Sequence, residues 1–154
     1  MNNLTSQDTI WFKWPNFSHA EIACQETGNC CIDPSAMDKL QKIRERFGRP
    51  MKISSGYRDP THSIEAKKTT PGFHAQGVAF DIACYGEDAF DLLSLLNDYG
   101  VKGIGIQQKG PAGGRFIHID FREGPPQCGV INVTFCSRHT DRSYRCPSFS
   151  DETN

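Results

Sequence analysis

His74 and Asp81 stand seven residues apart in FHAQGVAFDIAC, and another histidine, His118, sits in FIHIDFR. Imidazole nitrogen and carboxylate oxygen are both zinc donors, and a catalytic zinc site uses three protein ligands with the fourth place open. Gly77 permits a close turn between the first two candidates, and the small Ala79 leaves space beside them. Asp81 falls inside the apolar run VAFDIAC, where an unpaired carboxylate is costly, so it needs a partner. The spacing alone leaves two readings open. One is a metal site made by His74, Asp81 and His118. The other is a structural His74–Asp81 hydrogen bond in a disulfide-stapled domain. Of the remaining histidines, His19 lies in a short capped helix and His139 in a polar tail, both ordinary settings, while His62 follows a turn and is a candidate to line a cleft.

The elements that must hold these residues read as follows. Residues 1–15 form an arm, anchored by the aromatics Trp11, Phe12, Trp14 and Phe17. Ser18 with Glu21 three residues on is a capping box for a short helix, SHAEIAC. Asp33 caps a longer helix with Pro34 in its first turn. Met37, Leu40, Ile43 and Phe47 give that helix one apolar face, and Gly48 and Pro50 end it. Met51–Ser55 is a short strand, GYRDP a turn, and 61–73 a loop. Residues 78–84 are a buried strand. Residues 87–99 form a helix with Phe90, Leu92, Leu93, Leu95 and Leu96 inward, ended by Gly100. VKGIGIQ and RFIHIDFR make strands joined by a turn. In the second, Phe116, His118 and Asp120 share one face and Ile117, Ile119 and Phe121 the other. A further strand is expected in GVINVTFC. The fold class is α+β, a small antiparallel sheet with flanking helices, with the main domain at 16–142 and a frayed tail at 143–154.

The 154 residues fit one domain. A net charge of -1 argues against a nucleic-acid partner. No apolar run is long enough for a membrane span. The first residues lack a charged segment followed by an apolar one, so a cytoplasmic protein is expected, or one released by lysis or carried in a virus particle. Seven cysteines, an odd number, leave at least one free or paired between chains. The others are either disulfides, in an oxidising compartment, or small buried apolar groups.

Three separated stretches, SGYRDP at 55–60, HAQGVAFDI at 74–82 and FIHIDFR at 116–122, resemble the zinc D-alanyl-D-alanine carboxypeptidase family. That fold is shared by VanY- and VanX-type enzymes, phage endolysin peptidases and the hedgehog signalling domain. The likeness extends through NFSHAEIAC and spans about residues 16–122. It implies a zinc ion (Zn2+) held by His74, Asp81 and His118. It also implies that Arg58 binds a carboxylate or carbonyl of a peptide, with Ser55 and Tyr57 of the same motif in the substrate-binding set. A guanidinium suits that role, since it can offer two parallel hydrogen bonds. A salt bridge to Asp59 or to a helix end is the plainer role for Arg58. Many members carry a catalytic Glu three residues before the last zinc histidine, and Arg115 occupies that position. Arginine is no general base. Asp120 is the nearest carboxylate for that task, or else it orients a ligand; Glu65 and Glu123 are more distant candidates. The expected function is a zinc peptidase acting on peptidoglycan stem peptides, working as a monomer. The alternative is a zinc-binding module of the same fold without turnover.

Overall fold

The computed structural model describes residues 2–132. Residues 133–136 of the expected last strand, His139, Cys146 and the expected tail at 143–154 lie outside the described residues. The chain runs through α1 (His19–Ile22), α2 (Pro34–Phe47), β1 (Lys52–Ser55), β2 (Ala79–Ala83), α3 (Glu87–Leu95), β3 (Gly103–Gln107), β4 (Phe116–Asp120) and β5 (Gln127–Asn132). The strands make one sheet in the order β1-β2-β4-β3-β5. The first four are antiparallel, as expected for an α+β chain. The fifth runs parallel to β3. The turn after β4 carries the chain across the start of β3, where Lys102 bonds both Asp120 and Gln127 through its backbone.

The capping residues act as their chemistry dictates. The Asp33 carboxylate accepts the Ala36 N–H at 2.9 Å at the start of α2, and Gly48 closes it with φ 72°. The Glu21 carboxylate accepts the Ser18 N–H at 3.0 Å and its hydroxyl at 2.8 Å, holding α1. Met37, Leu40 and Ile43 of α2 are buried with Phe80, Ile82, Ile117 and Ile119, so the helix covers one face of the sheet. Full burial of each such side chain stabilises by roughly 1.5–3 kcal/mol. Trp14 belongs to this core and donates its indole N–H to Asp38 at 2.8 Å.

The helix over 87–99 differs from its sequence reading. It is α-helical to Leu95 and then tightens into a 3-10 turn, Leu96–Tyr99. Leu92 and Leu96 are buried as expected, Leu93 and Leu95 are partly buried against the core, and Ala89 is buried instead of Phe90, which is 71 % exposed. One residue advances about 100° around a helix, so burying Ala89 with Leu92 and Leu96 turns Phe90 toward solvent. Cys24, Cys30, Cys31 and Cys84 carry free thiols. Among the described residues, no helix is long and apolar enough to cross a membrane.

Candidate metal centre

The face of the sheet opposite α2 carries the polar residues. A row runs across four strands: Ser55 on β1, Asp81 on β2, His118 on β4 and Gly105 on β3. The period of two that puts Ile117 and Ile119 in the core necessarily puts His118 on this side. His74 arrives from the loop before β2. That loop is tied down by backbone bonds from Arg58 N–H to the His74 carbonyl (3.3 Å) and from Gly77 N–H to the same oxygen (3.1 Å). Gly77 has φ +73°, and a Cβ there would overlap the Cys31 carbonyl, so the turn between the two candidate ligands requires glycine.

Three donor atoms meet. His74 Nε2 lies 3.2 Å from His118 Nδ1 and 3.3 Å from Asp81 Oδ1, and His118 Nδ1 lies 2.8 Å from Asp81 Oδ1. With metal bonds near 2.05 Å, the corners of a tetrahedral zinc site stand about 3.3 Å apart. Two edges of the triangle already match, and the third needs a shift of about half an ångström. Among the described residues this is the one group of three or more His, Cys, Asp or Glu able to share an ion.

Each imidazole turns one nitrogen inward and has its other nitrogen answered from outside. His74 Nδ1 donates to the Gly56 carbonyl at 2.7 Å, and His118 Nε2 to Asp120 Oδ2 at 3.3 Å. Such outer partners orient each ring, so that its inner nitrogen faces Asp81 now and would face a metal once its proton has left. The Gly56 carbonyl is in place because β1 ends hard against α1, where Tyr57 N–H donates to Ile22 at 2.7 Å. A Cβ on Gly56 would overlap the Ile22 backbone.

Charge at the centre is balanced in the metal-free chain by protons and arginines. Burial alone would raise the Asp81 pKa, but hydrogen bonds from His118 and His74 outweigh it and hold the carboxyl well below its usual range. Burial alone would lower that of His118, yet Asp120 and Asp81 push it up to about 9. Asp120 is 0 % exposed and stays ionised because Arg122 and His118 overcome its burial.

The candidates from the sequence fall into two groups. His74, Asp81, His118, Arg58, Ser55 and Asp120 are brought together. Arg58 donates from Nη2 to Asp81 Oδ2 at 2.9 Å and from Nε to the Ser55 hydroxyl at 2.9 Å, with Nη1 3.9 Å from Glu65 Oε1. Its partner is therefore Asp81 and not Asp59, which binds Asn29 and Thr61. Tyr57 is not brought to the centre; its side chain is in the core against Cys31. His62 pairs with Glu26 at 3.4 Å, and His19 faces the Leu4 carbonyl at 3.0 Å. Arg115 donates to the Gly110 carbonyl at 2.9 Å in the β3–β4 turn. Glu123 is exposed.

One participant, Arg122, was missed in the sequence reading, and Glu65, read there as a distant candidate for the base, has a different place. Arg122, two residues past the end of β4, grips the Asp120 carboxylate. Glu65 is a buried brace, accepting from Lys68 at 2.7 Å and from the Gly72 N–H at 3.0 Å.

No curated protein sequence matches the chain. The sequence model of the Peptidase M15 family matches residues 15–120, a stretch that contains α1 to β4 and all three donor residues. With more than half its length matched and a three-donor centre at the heart of that stretch, the chain belongs to the Peptidase M15 family.

Proposed function

We propose that this peptidase-family chain is a zinc enzyme that hydrolyses amide bonds in peptidoglycan stem peptides, at D-Ala-D-Ala or a neighbouring cross-link bond. The observation that carries the reading is the His74–Asp81–His118 triangle, with the outer nitrogen of each histidine already partnered so that the inner nitrogen is the one a metal would take in place of a proton. The donor set of two imidazoles and one carboxylate is one that zinc accepts in hydrolytic sites. Zinc supplies Lewis acidity toward a scissile carbonyl and lowers the pKa of water.

The chain's own groups do the rest. Arg58 holds Asp81 Oδ2, which leaves Oδ1 for the metal, and Ser55 fixes the tilt of the guanidinium. The Nη1 edge of Arg58 has only the longer 3.9 Å contact to Glu65. It is the group best placed to hold a substrate carboxylate or carbonyl oxygen. Asp120 positions His118 and keeps its proton on Nε2.

A second reading, a metal-binding member without turnover, is favoured by a specific observation. Each buried carboxylate around the centre is already bound by a cation: Asp81 by Arg58, Asp120 by Arg122, and Glu65 by Lys68. Arg115 stands where the family resemblance places a Glu. Purified protein is incubated with peptidoglycan, with zinc and with a chelator, and new amine termini are counted. Chelator-sensitive release supports the enzyme. One zinc per chain with no release supports the second reading, and no zinc at all overturns both.

A further inference from the structure

We propose that Arg122 is a positioning residue that fixes both histidine ligands at once, through Asp120 on one side and Phe73 on the other. The inference rests on the metal-centre reading above.

The Asp120 carboxylate is fully buried. A lone carboxylate there would be prohibitive, so its geometry is set by whatever pairs with it. Arg122 supplies that partner in full. Its Nε donates to Oδ1 at 2.6 Å, its Nη2 to Oδ2, and its own backbone N–H to Oδ1 at 3.2 Å. The remaining edge is held too, as Nη1 donates to Gln127 Oε1 at 2.8 Å. A two-pronged Arg–carboxylate pair resists rotation, which a single point charge would not. Oδ2, held in place, is the atom that accepts the hydrogen bond from His118 Nε2–H.

The same guanidinium lies over the Phe73 ring, 3.8 Å from its centroid. Phe73 immediately precedes His74, and its carbonyl accepts the Val78 N–H at 3.1 Å. Stacking on the ring therefore restrains the loop that delivers the first histidine, while the fork restrains the strand residue behind the second. Gly103 on the neighbouring strand makes room: a Cβ there would overlap the Asp120 and Arg122 side chains. One planar cation thus ties β4, the His74 loop and β5 into a common frame.

The test compares zinc affinity, by competition with a chromophoric chelator, in the wild type and three variants. Arg122→Lys keeps the charge but loses the fork and the planar stack. Asp120→Asn with Arg122→Gln removes both charges together, so folding does not depend on burying an unpaired carboxylate. Arg122→Ala is assayed with and without added guanidinium. Loss of a group behind a metal ligand lowers affinity about 10- to 100-fold. The expected result is a loss of that size in Arg122→Lys and in the double variant, while their metal-free melting temperatures stay within reach of the wild type. The visible spectrum of the cobalt-loaded forms should change, and guanidinium should restore part of the affinity of Arg122→Ala. Wild-type zinc affinity and an unchanged cobalt spectrum in both folded variants overturn the inference and leave the metal centre standing. Failure of the wild type to bind zinc overturns the two together.

Discussion

Asp81→Asn is the substitution that separates ion pairing from metal binding at the centre. In the metal-free chain the Asp81 side chain is 9 % exposed and serves Arg58 on one oxygen and both histidines on the other. Removing one member of a buried ion pair costs on the order of 3–5 kcal/mol. Arg58 keeps some access to water, at 18 % exposed, so about 3 kcal/mol is expected. In a domain of this size that is a fall of roughly 10 °C in melting temperature. The metal adds a separate effect. At free zinc about 1,000-fold above Kd, binding stabilises the folded state by about 4 kcal/mol. An amide is a poor substitute for an anionic oxygen donor, so the variant should gain almost nothing at that zinc concentration. The assay is thermal unfolding of wild type and variant, each after chelator treatment and at matched free zinc. Two numbers come out, a metal-free difference and a zinc-induced shift. A zinc-induced shift as large in Asp81→Asn as in the wild type would refute Asp81 as a ligand. An unchanged metal-free melting temperature would refute the claim that Asp81 anchors Arg58.

Other outcomes follow from the same geometry. In metal-free protein, the proton on His118 stabilises the fold because its pKa rises from 6.5 to about 9 on folding. That contribution is fully present below pH 6.5 and is lost as pH climbs through about 9. Urea unfolding from pH 6 to 10 should show the decline without zinc and not with it, since a bound metal takes the place of the proton. Gly56→Ala should destabilise by about 1–3 kcal/mol, as overpacking does, and should also weaken zinc binding, because the Gly56 carbonyl that holds His74 must move away from Ile22; a variant that loses stability but binds zinc normally would contradict the link. Burial pushes the Cys30 thiol up to about 12 and that of Cys84 to about 11. Thiol reagents at pH 8 should therefore label both slowly in the folded state and quickly in urea; rapid labelling of Cys30 in folded protein would show that its pocket opens.

The parts of the site that were legible in the sequence are those governed by strand periodicity and by the expense of buried charge. A carboxylate in VAFDIAC had to have a partner, and the alternation of FIHIDFR placed His118 and Asp120 on the face away from Ile117 and Ile119. The family resemblance joined those residues to His74 and Arg58. What stayed hidden depends on contacts made across the fold. Arg122 lies just past the end of β4, where periodicity no longer says which way a side chain turns. Glu65 sits in a stretch without a repeating pattern, yet it is 4 % exposed, because Lys68 and the Gly72 N–H neutralise it in place. Tyr57 shares a motif with Arg58, but the backbone bond to Ile22 carries it into the core. The parallel pairing of β5 with β3 depends on the path of the turn after β4, which the strand's own alternation does not reveal.

These contacts also say which ligand is the vulnerable one. Asp81 and His118 are directly paired residues on adjacent strands, so their separation is fixed by the ladder that also holds Phe80, Ile82, Ile117 and Ile119 in the core. His74 has no such ladder. Its position is set by a carbonyl from the end of β1, by two backbone bonds to its own carbonyl, and by the Arg122 guanidinium over the preceding ring. A loop held by a few polar contacts opens at lower free energy than a core strand. Zinc should therefore leave by the His74 side, and damage to any one of those restraints should raise the rate of zinc loss more than the rate of global unfolding. Arg58 couples the two halves. It takes the His74 carbonyl with its backbone N–H and the Asp81 carboxylate with its side chain. On the proposed reading, a substrate carboxylate on Arg58 would press on the residue that joins the loop ligand to the strand ligand, so peptide binding is expected to change the rate of zinc loss, which stopped-flow chelator competition with and without peptide checks.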